Sequence, residues 1–150
     1  MDLSIIAVGR LKSGPEAALV AEYLKRLPWN VAIHEVEERR PITGPERQSR
    51  EADLILAAIP AQAEVIALDE RGKPMASADF AAFLGDRRDA GRHLAFVIGG
   101  ADGLHQRVRD RASRLLSFGP MTWPHAFARV MLVEQLYRAH AILAGHPYHK

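Results

Sequence analysis

"VIGGADGL", residues 97–104, sets a β-branched apolar run directly against three glycines, Gly99, Gly100 and Gly103. A turn alone needs one glycine, or two. The extra one says that something approaches the main chain closely at the end of a buried strand: a phosphate, a cofactor or another segment of the same chain. The run that leads into the glycines, "HLAFVI" (93–98), reads as the fourth strand of a series, and that series decides the fold.

Working outward, "LSIIAV" (3–8) is the first buried strand and "PEAALVAEYLKRL" (15–27) an amphipathic helix with Pro15 in its first turn. "VAIHEV" (31–36) alternates as a second strand. Residues 37–45, with Pro41, Gly44 and Pro45, form a loop before a helix over 46–59 that Pro60 ends. "EVIALD" (64–69) is a third strand closed by "ERGKP". Ser77 caps a helix to about Asp89, and Gly91 ends it. A basic helix follows the glycines from about Leu104 to Arg114. Strand and helix in alternation predict an α/β fold, with a mostly parallel sheet covered on both faces. In such sheets ligands gather beyond the carboxyl ends of the strands, where both "LDERG" and "IGGADG" begin.

At 150 residues one domain spanning 1–150 is the simplest organisation. The chain has no cysteine, which excludes a disulfide framework, a thiolate nucleophile and a Cys-based zinc site. His140, His146 and His149 match no zinc spacing, so no metal is expected. No segment is apolar for long enough to span a membrane, and "MDLSIIAV" does not read as a signal peptide. A soluble cytoplasmic protein is the economical reading. Twenty basic against 18 acidic residues is too even a balance to announce nucleic acid. Arg107, Arg111 and Arg114 fall at i, i+4, i+7 on the expected basic helix, and Arg39, Arg40, Arg47 and Arg50 gather around a Pro/Gly loop. Both groups read first as solvated faces and second as phosphate contacts.

A dinucleotide site fits poorly, because its G-x-G-x-x-G belongs after the first strand and the spacing in "GGADG" differs. Neither a G-x-x-x-x-G-K-[ST] phosphate loop nor a G-x-S-x-G elbow is present. The last third begins with a short apolar run, 115–118, and a stiff passage carrying Gly119, Pro120 and Pro124, which is extended or looped. Pro124 then suits the first turn of a helix to about Ala144. Its first half, "AFARVMLV", is apolar nearly all round and so is buried on more than one side, by the sheet and by a second copy of the chain.

"LDERGKP", "VIGGADGL", "MTWPHAFARVMLVEQLYRA" and the terminal "HPYHK" resemble, in order and spacing, the RlmH family of SPOUT-class methyltransferases acting on bacterial large-subunit ribosomal RNA. The resemblance covers essentially the whole chain. It implies a deep C-terminal trefoil knot, S-adenosylmethionine as methyl donor and a homodimer. The implied acceptor is N3 of a pseudouridine in a large-subunit rRNA hairpin loop, on the assembled ribosome. Carried onto this chain, the family's cofactor loops fall at Leu68, Gly100 and the segment Gly119, Pro120, Met121, Thr122, Trp123 and Pro124. Pro120 stands where relatives usually carry a residue with an N–H. Gly100 is expected to be bare so that the ligand can lie against the main chain, and a valine there to abolish cofactor binding in a folded protein.

For catalysis, Arg138 is expected to neutralise charge on the imide, and Tyr148 or His149 to position or accept its proton. His125 stands between a structural cap and a substrate contact. Each has a duller role open to it: Arg138 can pair with Glu134 one turn earlier, Tyr148 can be a packing anchor and His149 a frayed end. Two other classes remain: a silent RNA-binding module on the same fold, and a nucleotide-dependent enzyme of doubly wound α/β class.

Overall fold

Runs of wholly apolar residues, each too short for a helix and each followed by a helical period, can only be buried on both faces. The computed structural model, which describes residues 1–149, shows that arrangement. The elements are β1 (Asp2–Val8), α1 (Pro15–Arg26), β2 (Asn30–Val36), α2 (Gly44–Ala58), β3 (Glu64–Pro74), α3 (Ser77–Asp89), β4 (Leu94–Ile98), α4 (Gln106–Arg111), β5 (Arg114–Ser117), α5 (His125–Ala144) and a terminal 3₁₀ turn, Pro147–His149. All five strands are parallel, in the order β2-β1-β4-β3-β5.

Strand pleating divides the core in two. Leu3, Ile5 and Ala7 of β1 face one side and pack with α1, α3 and α5 through Val20, Phe80, Leu84, Leu132 and Leu136. Ile6 and Val8 face the other and pack with α2 and α4 through Ala52, Ile55 and Val108. Since the strands are parallel, their carboxyl ends share one edge of the sheet, and the chain's loops collect there.

Several elements differ from the sequence expectation. "ERGKP" does not close the third strand. Leu68 and Lys73 both register with Leu116 of β5, so residues 69–72 bulge out and pairing resumes to Pro74. Gly72 permits this: a Cβ there would lie 2.5 Å from the Leu115 carbonyl carbon and oxygen. The apolar run at 115–118 contributes a fifth strand, only four residues long. The basic helix therefore stops at Arg111, and the arginine stripe is broken: Arg107 pairs with Asp53, Arg111 donates to the Ala63 carbonyl, and Arg114 lies in β5 over the Phe83 ring. Ser77 is not a cap. It begins α3, its hydroxyl donates to Gln135 of α5, and Ala76 takes the cap position. Gly91, at φ 65°, does end α3, with Arg92 N–H returning to the Arg87 carbonyl.

Gly72→Ala should push β3 and β5 apart and destabilise the chain by about 1–3 kcal/mol, as overpacking does. Denaturant unfolding measures it, and an unchanged midpoint would mean that the strands separate freely.

Candidate active site

Where β3, β4 and β5 end, three stretches of chain leave the sheet around a cleft of about 990 Å³. Leu68 to Arg71, Ile98 to Gln106, and much of Phe118 to His125 line it. Seven of the eight residues expected to hold a cofactor are on its wall: Leu68, Gly100, Gly119, Met121, Thr122, Trp123 and Pro124. Pro120 is not on it. Ile98, Leu116 and Phe118 supply apolar surface, and the cleft has the size and mixed lining of a small-molecule site.

Local bonds hold these loops. The buried Ser117 hydroxyl accepts from Gly119 N–H at 3.0 Å and donates to its carbonyl at 3.1 Å, closing the turn after β5. Gly119 has φ 105°, which a side chain would strain. Arg109 on the cleft wall is paired with Asp69 at 2.6 Å, and Asp69 also accepts from Arg71 N–H at 2.8 Å. One carboxylate thus shapes the 69–71 turn and neutralises a cation facing the cleft. The residues present fit a cationic sulfonium cofactor in size, apolar wall and charge.

The glycines of "VIGGADGL" are bare for the protein's own segments. A Cβ on Gly99 would meet Leu104 at 2.8 Å, and one on Gly100 would meet Val8 at 2.9 Å and the Glu51 carboxylate at 3.3 Å. Gly103 meets nothing but has φ 75°. The expectation that Gly100 is bare for a ligand is therefore corrected. Its main chain lines the cleft, but the side-chain direction is filled from β1 and α2, so a valine there first disturbs packing.

The expected catalytic residues form a second cluster. Arg138 donates to Glu134 Oε1 at 2.6 Å, as one-turn spacing suggested. Tyr148 hydroxyl donates to the same oxygen at 3.1 Å, so Tyr23, 3.0 Å away, must donate to Tyr148. Tyr148 also packs edge-on to Tyr137 and under the Arg138 guanidinium. Burial, the Tyr23 bond and the Glu134 charge all raise the Tyr148 hydroxyl well above the usual phenol range, so it is a hydrogen-bond donor and not a base. His149 Nδ1 lies 2.5 Å from the His146 carbonyl, which can only accept; the hydrogen is on Nδ1 and a neutral ring keeps Nε2 as acceptor. Lys150, the last residue of "HPYHK", lies outside the described residues.

The two clusters do not meet within one chain. His125, at the start of α5, lines the cleft, and Arg138 follows it by 13 residues, about 20 Å along the axis. Neither Arg138, Tyr148 nor His149 touches the cleft. The length of α5 keeps the C-terminal cluster away from the cofactor loops of the same chain.

Two buried charged residues escaped sequence reading. Arg129, 2 % exposed, pairs with Glu35 of β2 at 2.5 Å and donates to the Gly9 carbonyl at 3.1 Å. Burial works to raise the Glu35 carboxyl, but the Leu11 N–H and Arg129 outweigh it and hold the carboxyl below its ordinary range. A lone charge inside "AFARVMLV" was the available signal. Glu51, 6 % exposed, has no partner for Oε1 among the described residues. Its place beside Ala52 and one turn before Ile55 put it on the inner face of α2.

Comparison with known proteins adds to this geometry. The family described as "Predicted SPOUT methyltransferase" matches residues 1–149. Among curated relatives, the protein named Ribosomal RNA large subunit methyltransferase H of Paramagnetospirillum magneticum is 54% identical, with 100% of this chain and 99% of the relative covered. Its namesake in Rhodospirillum centenum is 55% identical over the same shares. Among solved structures, a probable methylase family protein from Haemophilus influenzae superposes with TM-score 0.57 at 12% identity, covering 99% of this chain and 70% of that one, a likeness of fold alone. Among the described residues no helix is long and apolar enough to cross a membrane, and no group of side chains is set to hold a metal ion.

Glu51 gives the chain a pH signature. Burial raises its carboxyl above the ordinary value. The unfolded chain then loses this proton at lower pH than the folded one, so Glu51 lowers stability as pH rises above the ordinary carboxyl value. Glu51→Gln should leave stability unchanged near about pH 4 and increase it near about pH 8. Thermal unfolding at the two pH values checks this, and equal shifts at both would mean that folding leaves the Glu51 carboxyl unshifted.

Proposed function

The chain belongs to the SPOUT methyltransferase family, in its ribosomal RNA large subunit methyltransferase H branch, and from that premise we propose that it methylates N3 of a pseudouridine in large-subunit rRNA on the assembled ribosome. Membership makes it a methyltransferase of large-subunit rRNA that uses S-adenosylmethionine, and removes the silent-module and nucleotide-dependent readings. The acceptor atom, the assembled ribosome, a cytoplasmic place, a single domain over 1–150, a trefoil knot and a homodimer complete the proposal. The knot reading is supported by the final strand and helix: β5 lies at the far edge of the sheet, while α5 returns across it to pack with α1 and α3.

The observation that carries the proposal is the separation of cleft and catalytic cluster along α5. One copy supplies cofactor loops at His125 and the other supplies Arg138, Tyr148 and His149, so a two-fold pair completes two sites. Met121, Trp123 and Phe127, respectively 73 %, 42 % and 47 % exposed, give the cleft's rim an apolar surface for that contact.

Bound in the cleft, S-adenosylmethionine supplies an electrophilic methyl group beside Leu68, Gly100 and the 119–124 loop. The imide nitrogen becomes a good nucleophile as its proton leaves and its carbonyls gain charge. Arg138, held by Glu134, offers guanidinium hydrogens to a carbonyl, and Tyr148, whose own hydrogen is bonded to Glu134, packs against the target base. His149 Nε2 accepts the imide proton, its ring held by the His146 carbonyl. In-line alignment supplies much of the rest. The near-even net charge favours recognition of the whole ribosome over naked RNA.

Truncation after Gly145 should leave dimer and S-adenosylmethionine binding nearly intact and slow methyl transfer to ribosomes by at least ~100-fold, the scale of a lost acid–base or positioning group. Light scattering, calorimetry and labelled-cofactor transfer measure the three. Full-length rates from the truncated enzyme would remove Tyr148 and His149 from the chemistry.

A further inference from the structure

Beside the main cleft, on the other side of the glycine turn, lies a smaller pocket of about 220 Å³ between β1, α2 and the 37–38 segment. It shares Gly100, Ala101 and His125 with the cleft, so its occupant adjoins the transfer site. Its charges are arranged unequally. Glu37 is paired with Arg10 and Arg39, and Glu38 with Arg40. Arg47, on the wall, is held by Asp102. Glu51 alone of the wall carboxylates is 6 % exposed with Oε1 unpartnered among the described residues. Buried polar groups ordinarily have partners, and one that faces a pocket without one marks what the pocket takes.

The chemistry of that partner is narrow. Burial shifts this carboxyl toward its protonated form, which carries an O–H donor beside a carbonyl acceptor, and either form accepts from an N–H. It matches an edge with an N–H next to a ring nitrogen or carbonyl, which each RNA base presents on its Watson–Crick side. Outside, Arg39 and Arg40 are 73 % and 56 % exposed, available to phosphates. A hydrogen-bonding edge within and guanidinium groups without fit one unstacked nucleotide. The Gly100 turn stands between Glu51 and the cofactor cleft, so that nucleotide is a neighbour of the methylated one.

We propose that this pocket is a nucleobase subsite, in which Glu51 hydrogen-bonds the Watson–Crick edge of a base flanking the methyl acceptor while Arg39 and Arg40 contact its backbone. It rests on the RNA-methyltransferase reading and adds a specificity-determining residue to it.

The test uses the full chain with Glu51→Leu and Glu51→Gln, each checked for folding by thermal unfolding. A single-stranded RNA hexanucleotide of mixed sequence is titrated while the amide resonances of Gly9, Gly100 and Ala101 are followed. S-adenosylmethionine affinity and ribosome methylation are measured in parallel. The wild type and Glu51→Gln should show the RNA-induced shifts, and Glu51→Leu should lose them. In Glu51→Leu, KM for ribosomes should rise at least about tenfold, the scale of one lost hydrogen bond, with cofactor affinity unchanged. Normal RNA shifts and methylation in Glu51→Leu would overturn the subsite. So would loss of cofactor affinity in step with methylation, which makes Glu51 a support of the glycine turn. Glu51-dependent shifts in a protein that methylates no ribosomes would uphold the subsite and refute the proposed function instead.

Discussion

Arg129 holds the first turns of α5 to the sheet by bonding Glu35 near the end of β2 and the Gly9 carbonyl just after β1. Both partners are at the carboxyl edge of the sheet, so the helix must start where the strands stop. His125, one turn earlier, is thereby set against Gly9 and at the border of both pockets. Only Arg129 is buried, Glu35 being about a third exposed, so removing Glu35 leaves one guanidinium in the core and costs less than the ~3–5 kcal/mol of a fully buried pair. Starting at His125, α5 runs 20 residues, about 30 Å, and carries Glu134 and Arg138 away from the cleft. The proposal of a second copy rests on this fixed start and fixed rise per residue.

The charge arrangement distinguishes the regions around the strand ends. In the cleft, Arg109 is neutralised by Asp69. In the distal cluster Glu134 accepts from Arg138, Tyr148 and Gln135, and Gln135 accepts from Ser77, which ties α3, α5 and the terminal turn into one unit. Tyr148 is half-buried and doubly bonded, so the C-terminal turn is an ordered part of the chain. The glycine-turn pocket instead keeps a buried acid without a partner.

The sheet was legible because three of its strands are largely apolar runs, β2 alternates, and a helical period follows each. β5 was not, since "RLLS" is four residues long and starts with an arginine whose charge lies over Phe83. The length of β3 was hidden because "ERGKP" has the composition of a turn, and only the close passage of Gly72 over Leu115 lets pairing resume beyond it. The glycine turn was found in the right place, but its reason lay in Val8, Glu51 and Leu104, residues distant in sequence or side-chain direction. The cofactor-loop residues converge because parallel strands end on one edge. The gap between those loops and Arg138 was legible in principle, as 13 residues of uninterrupted helix, but sequence carries no statement of which end of a helix meets which chain.

The central claim, that each site joins the cleft of one chain to the cluster of another, is tested most directly by mixing two inactive variants. Leu68→Trp fills the cleft, and Arg138→Ala removes the guanidinium from the cluster. After co-refolding, randomly paired dimers that join the two variants hold one site with both lesions and one with neither. Recovery of about a quarter of wild-type methyl transfer to ribosomes is predicted, since half the dimers are mixed and each has one intact site. A mixture no more active than either variant alone, with mixed dimers shown to form, would contradict the account and return the whole site to a single chain.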